Sequence, residues 1–510
     1  MSYQLLSETR PTGNRLPSTL IHILDNDSLL IIFSLCRPVI LDDSEVDEVQ
    51  ILGGGEWDRE RWWHRLIQVC RRWRFLVLES AFYLQVSLVC ARGTRVSDML
   101  ALYPPLPLII DHFDNSENPR DVTAEDEEGI IFALQHRDRV RRIRFMKPIP
   151  TLQKLIIALD GEFPILEFLF IQHQLYQMPK IERNMILNLP DSFRAPHLRH
   201  LVLMSFAIPI ESPLLTSMGN LVTLSLNAIP SSAYFYPDAL LQRLSLMHQL
   251  ETLGIAFNGY NPDHDVERQL LRMPIMTRVA LPNLRWFGFQ GTSAYLEALL
   301  PWVTIPVLEK LQVQFYNRTR MIYSIPHLQQ FMSTARKLLF KTATFNFAEE
   351  CVVVKAYPHK EARIYTLYME LGGRHLDWQV VSASQVYHTL STVFSAVEAL
   401  TLEYDRHFIP SEWNNEAERT YWRELLGSFN NVKTLIIDGN LVGQLSRALQ
   451  PGEGESPTDM LPELQELREL RESDKPDELP HPAIGTSQIA FAPFINARQK
   501  AGHPVTMIYS

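Results

Sequence analysis

Nine times between residues 140 and 437 the chain repeats one template, an apolar residue followed at +3 and +5 by two more. The copies are Val140/Ile143/Phe145, Leu166/Leu169/Ile171, Leu198/Leu201/Leu203, Leu221/Leu224/Leu226, Leu250/Leu253/Ile255, Leu284/Phe287/Phe289, Leu308/Leu311/Val313, Val397/Leu400/Leu402 and Val432/Leu435/Ile437. First positions from 140 to 308 are 26, 32, 23, 29, 34 and 24 residues apart, a mean of 28. Several copies share a preceding turn and a following charge: FPILEFL, APHLRHL, LPNLRWF and IPVLEKL. Leu241/Leu244/Leu246 also fits, but it lies nine residues before Leu250 and reads as a helix beginning at Asp238.

A unit this short cannot bury its apolar residues alone, and stacked neighbours make one continuous core. The expected fold class is α/β, with residues 81–510 forming an irregular leucine-rich-repeat solenoid whose parallel sheet lines a concave face. The 89 residues from 308 to 397 leave room for two degenerate repeats, with KTATFNF (341–347) and ARIYTLYM (362–369) as candidates. LQVSLVC (84–90) and PLPLII (105–110) read as an irregular start. FAPFINARQKAG (491–502) has helical spacing and PVTMIYS after it reads as a final strand. Residues 451–480 hold ten acids against three bases, so about 451–483 is expected to be an acidic loop within the last repeat. Leu461, Leu464, Leu467 and Leu470 begin a strand there or form one helical face.

Strand alternation turns the residue between the last two template positions to the face opposite the leucines. That row is Val202, Ser225, Gly254, Gly288, Gln312, Thr401 and Ile436, with Trp286, Gln290 and Gln314 beside it. By the same alternation Arg144, from the basic cluster 136–144, faces the concavity. There it receives a carboxylate or phosphorylated side chain, or is simply a solvated first strand. Arg144, Trp286, Gln290, Gln312 and Gln314 are the candidate substrate contacts.

Upstream of the repeats, Leu66, Val69, Cys70, Trp73, Leu76 and Val77 fall on one helical stripe, and Arg65, Arg71, Arg72 and Arg74 lie off it as a solvated face. Cys70 then points inward as a small hydrophobe, with no base on its helical face to activate it. Asp27 to Leu35 reads as a second helix, capped by Asp27 or Ser28, with Leu29, Leu30, Ile32 and Phe33 as its apolar surface. Between them, about 37–58, an acidic and Gly-rich stretch reads as an insertion. Its three glycines lack the GK[ST] of a phosphate loop.

LPSTL (16–20), DSLLIIF (27–33) and WHRLIQVCRRWRFLVLES (63–80) resemble an F-box, of the enlarged type common in fungal proteins. The most recognisable portion is Leu66, Val69-Cys70-Arg71, Trp73-Arg74 and Leu76. The compact family pattern is interrupted here by the insertion and by a long gap after Leu16-Pro17. The resemblance implies a small helical F-box-like domain over 16–80, after a disordered 1–15. It also implies a substrate-recognition subunit of a cullin–RING (SCF-type) ubiquitin ligase. Its F-box helices would dock on a Skp-type adaptor, and through it on cullin, while the repeats hold a protein substrate. By motif position the adaptor-binding residues would be Leu29, Leu30, Ile32, Phe33, Leu66, Val69, Cys70, Trp73 and Leu76. The alternative is a repeat scaffold outside any ligase, its F-box-like segment only capping the stack.

Other function classes find little support. The net charge is −10, so a nucleic-acid partner is not expected. HExxH, GxSxG, Walker and dinucleotide motifs are absent, so neither an enzyme nor a cofactor is expected. Cys36, Cys70, Cys90 and Cys351 have no CxxC spacing, which reads as thiols in a reducing compartment and as no metal site. With no apolar run long enough to span a bilayer, a cytoplasmic or nuclear protein without a membrane partner is expected.

Overall fold

In the computed structural model of the chain, the residues described are 23–38, 60–113 except 92, 124–173, 188–258 except 207, 217 and 218, 274–316, 324–406 except 336, 414–470 except 453, and 486–509. Residues 1–15, Leu16, Pro17 and nearly all of the 37–58 insertion lie outside them. The chain divides into two compact units, residues 1–142 and 143–510.

The first unit begins with α1 (Asn26–Leu35), α2 (Trp63–Ile67) and α3 (Arg71–Glu79). The cap of α1 is Asp25, two residues before Asp27 and three before Ser28: its carboxylate accepts from the Ser28 N–H at 2.6 Å. That bond holds the Asp25 carboxyl below its usual range. The single stripe expected over 66–77 is broken. Helix α2 ends at Ile67, and Cys70 takes extended geometry (φ −158°, ψ 171°) as the residue before α3. Side chains hold the break in place. Arg74 Nε donates to the Ile67 carbonyl at 3.1 Å, satisfying an orphan of the α2 C-terminus. Arg72 Nη2 reaches the Leu24 carbonyl at 2.7 Å and Asn26 Oδ1 at 2.8 Å. These two arginines therefore fasten helices together, Arg74 from the exposed face on which Arg65 and Arg71 also lie. The Trp63 indole N–H donates to the Ser87 carbonyl at 3.2 Å, tying α2 to β1 (Leu88–Ala91). Strand β1 pairs in parallel with β2 (Leu108–Phe113).

Strand β3 (Val140–Lys147) carries the chain into the second unit. Its strands continue as β4 (Phe168–His173), β5 (His200–Met204), β6 (Thr223–Ile229), β7 (Thr252–Phe257), β8 (Val279–Ala280), β9 (Trp286–Gly291), β10 (Val303–Thr304) and β11 (Lys310–Phe315). After them come β12 (Thr342–Ala348), β13 (Cys351–Tyr357), β14 (Leu367–Gly372), β15 (Ala399–Asp405), β16 (Thr434–Asp438), β17 (Glu466–Leu470) and β18 (Thr506–Tyr509). From β4 onward the sheet order is β4-β5-β6-β7-β9-β11-β14-β13-β12-β15-β16-β17-β18, and only the pairings of β13 are antiparallel. Template residues align strand to strand, as Leu201↔Leu224↔Leu253↔Phe287↔Leu311 and Leu400↔Leu435↔Leu467. All are buried, each removing on the order of 2 kcal/mol of apolar surface from water. This is the stacking that leucine-rich repeats require, with helices and loops as the return segments. Leu241 and Leu244 are buried in the helix Pro237–Leu244.

The gap between Leu308 and Val397 is not filled by two stacked repeats. KTATFNF forms β12 and the end of ARIYTLYM forms β14, but β13 runs back between them as a meander. Only Glu349 and Glu350 separate β12 from β13, and a link that short forces antiparallel pairing. The meander is inserted in reverse, so β14 lies beside β11 and β12 beside β15. The helix Leu376–Thr389 then returns the chain across it.

Near the C-terminus, residues 454–470 are described and contain β17. Residues 471–483 of the expected acidic loop are not among those described. The helix expected over 491–502 spans Thr486–Lys500.

Candidate functional site

In the first unit the sequence-predicted adaptor residues separate by burial. Leu29, Phe33 and Leu76 are core residues, and the Phe33 ring meets Trp73 edge-on at 4.7 Å. Leu30, Leu66, Cys70 and Trp73 are half-buried. Ile32 and Val69 are exposed. Helix α1 has a second apolar face that the motif did not single out: Ile31 is 55 % exposed and Leu35, one turn on, 79 %. Phe75 of α3 is exposed as well. A small helical unit that leaves so much aliphatic and aromatic surface wet is suited to meeting a protein partner. The Ile31/Leu35 signal was present as an i, i+4 pair, hidden because Leu29/Phe33 supplies an equally good one.

In the second unit the predicted row is continuous: Val202↔Ser225↔Gly254↔Gly288↔Gln312. It passes through the meander as Tyr368↔Lys355↔Thr344 and continues as Thr401↔Ile436. Trp286, Gln290, Gln312 and Gln314 are all half-buried on this face. The Trp286 indole lies over Gly254 and Gly288; a Cβ at Gly254 would stand 3.2 Å from its Cζ3. Arg144 departs from expectation. It is 2 % exposed, with its guanidinium carbon 6.0 Å from the Phe170 ring, so it does not present its charge to solvent.

Sequence reasoning missed what the meander adds to this face. Lys310 Nζ sits 4.3 Å above the Tyr365 ring, and the Tyr368 hydroxyl donates to Glu370 Oε2 at 3.0 Å. Burial, reinforced by Glu370, raises the Tyr368 hydroxyl well above its usual range. Burial first, then Glu370 and Glu350, pushes the Cys351 thiol up to about 12, and burial does the same to Cys90. Neither thiol is an activated nucleophile. All four cysteines are free. Among the described residues no group of three or more His, Cys, Asp and Glu side chains could hold a metal, and no helix is long and apolar enough to cross a membrane.

A further row stands at the strand entries. The residue just before each of β4, β5, β6, β7, β9, β12, β15 and β16 accepts two N–H donations from the neighbouring strand's entry, as Arg199 and His200 donate to the Glu167 carbonyl at 2.9 and 3.0 Å. Repetition of this bond puts Glu167, Arg199, Val222, Glu251, Arg285 and Glu309 side by side, then Lys341, Glu398 and Lys433 after the meander. Glu398 joins Lys341 at 2.7 Å and Lys433 at 3.1 Å, and these bonds hold its carboxyl below the usual range.

No protein-family model matches the chain, and no curated protein matches it. Among solved structures it is similar to that of a complex of TLR13 with the single-stranded RNA ssRNA13, at 14% identity over 74% of this chain, with a TM-score of 0.32. The chain spans 45% of the length of that protein. It is also similar to the leucine-rich repeat-containing protein LegL7 from Legionella pneumophila, at 12% identity over 82% of this chain and 99% of that one, with a TM-score of 0.24.

Proposed function

We propose that the chain is a non-catalytic substrate-recognition subunit of an SCF-type ubiquitin ligase. Helices α1–α3 dock on a Skp-type adaptor, and the repeat sheet holds a protein target. The observation that carries this reading is the double apolar character of α1. Leu29 and Phe33 build the unit's own core, while Ile31, Ile32 and Leu35 remain outside it in the segment that resembles an F-box. The protein then acts by tethering, raising the effective concentration of a target lysine near a ubiquitin-charged enzyme. The test is co-purification of the full chain with the adaptor. The proposal requires binding that Ile31→Asp with Leu35→Asp abolishes while the protein still folds. Absence of binding by the folded wild type would overturn it.

One observation favours a second reading, a repeat scaffold whose helices only cap the stack. The Trp63 indole donates to Ser87 beside β1, as a cap would. Under that reading the double variant has no effect on any interaction and the wild type brings down no adaptor.

A further inference from the structure

Trp286 lies flat on its own sheet, and three side-chain amides stand beside it unengaged. One face of the indole rests on Gly254 and Gly288, so the other turns away from the sheet. Gln312 stands directly across from Gly288 on β11, roughly 5 Å away, and Gln290 is the next residue of this face along β9, roughly 7 Å away. Gln314 lies across from Gln290. All three glutamines are half-buried. Among the described residues neither their amides nor the indole N–H has a hydrogen-bond partner. Strands β6, β7 and β9 carry no charged residue. Lys310, paired with Trp286 in the register, turns its ammonium onto Tyr365.

The face of an indole is the negative side of its quadrupole and attracts C–H groups laid against it. Side-chain amides both donate and accept, so a ligand that satisfies them must do both as well. The usual protein anchor is an aromatic side chain inserted into a pocket of the partner, which an indole laid on its own sheet cannot do. A nucleobase would stack, but its phosphates would find no cation on β6, β7 or β9. A pyranose meets every condition: one face of C–H groups, a rim of hydroxyls that donate and accept, and no charge. We propose that this face binds a neutral saccharide, with one sugar ring stacked on Trp286 and its hydroxyls bonded to Gln290, Gln312 and Gln314. This rests on the reading of the repeat sheet as the target-holding face, the saccharide being free or carried by the target.

The test applies the full chain to a printed array of neutral, sialylated and sulfated glycans. The strongest neutral hit is then titrated by calorimetry, once as the free oligosaccharide and once on an albumin carrier. The expected result is binding of neutral glycans that is unchanged between about 50 and 500 mM salt. The affinity should fall about tenfold or more in Trp286→Ala and in Gln312→Leu. Gln330→Ala, which removes an exposed amide from the helix Pro326–Thr334, keeps it. Equal binding of both forms makes the sugar alone the ligand, and binding only on the carrier makes it a protein-borne glycan; either supports the proposal. No hit, hits confined to the charged glycans, or full affinity in Gln312→Leu together with Trp286→Ala would each overturn it. The Gln312 amide has no bond to lose, so Gln312→Leu keeps the test open should Trp286→Ala fail to fold, and thermal melts tell the two cases apart. Adaptor co-purification reads the other unit, so failure here leaves the ligase reading intact, and the reverse also holds.

Discussion

Trp286 lies across Gly288, and the missing side chain of the glycine is what admits the ring: a Cβ there would stand 2.9 Å from Cζ2 of the indole and 3.0 Å from Cζ3. Gly288→Ala therefore obliges the ring to move, and because Trp286 is half-buried it swings toward solvent without breaking the core. The expected cost is about 1 kcal/mol. Acrylamide quenching, taken as the difference between Gly288→Ala and the same variant carrying Trp286→Phe, should report a more accessible indole than the corresponding wild-type difference. If the sheet face holds a protein target, the same variant weakens that binding.

Leu29 and Ile32 lie three residues apart on α1 and answer to different constraints. Leu29 is fully buried, so Leu29→Ala should lower stability by about 2–5 kcal/mol through lost transfer energy and a cavity. Ile32 is exposed, and Ile32→Ala should change stability by less than about 1 kcal/mol. Denaturant unfolding of both variants decides this. Equal costs would mean that α1 does not orient Leu29 inward.

The pattern of these residues explains what the sequence disclosed. Leu201, Leu224, Leu253 and Leu311 were legible because the template repeats and because one-sided burial fixes strand register. The helix break at Gln68–Cys70 was not, since no proline or glycine marks it. Arg74 and Trp63, bonding to the Ile67 and Ser87 carbonyls, decide it in three dimensions. The meander did leave a trace: TATFNFA and CVVVKAY both alternate and only Glu349-Glu350 separates them, a hairpin signature outweighed by the expectation of further repeats. Arg144 obeys the alternation, but alternation says nothing about what covers a strand. The strand-entry row left its signal in the charge that follows the first template residue of every copy but one, Val222 after Leu221 being the exception.

Glu297 caps a helix in another unit of the stack. From the helix Ser293–Leu299 its carboxylate accepts from the His327 N–H at 2.8 Å and the Leu328 N–H at 2.9 Å, in the first turn of the helix Pro326–Thr334. Burial raises its pKa in spite of these two bonds. A raised folded-state value means that the folded protein binds the proton more tightly. This group's contribution to stability is therefore present below roughly 4.3, the unfolded value, and falls as pH rises to the raised value. Glu297→Gln should remove that slope. Glu297→Ala strands both amides, at about 2 kcal/mol, and hydrogen exchange over 326–334 should quicken on the order of tenfold or more.

Among the described residues, the hydrogen bonds by which Arg498 holds the end of the chain together all go to main-chain carbonyls. Arg498 is 1 % exposed, and its Nη1 and Nη2 donate to the carbonyls of Met460, Leu461, Pro462 and Leu464 at 2.9–3.3 Å. Longer bonds of 3.4 Å reach Pro457 and His503. One guanidinium therefore fixes the loop before β17 to the helix Thr486–Lys500. Arg498→Met keeps much of the length but removes every donor, leaving several buried carbonyls unpaired, at about 3 kcal/mol or more. Lysine preserves the charge but has three donors on one nitrogen and cannot span the set. Limited proteolysis should therefore cut 454–464 faster in Arg498→Met and in Arg498→Lys alike. Full protection of the lysine variant would show that charge, and not the fork of donors, holds the loop.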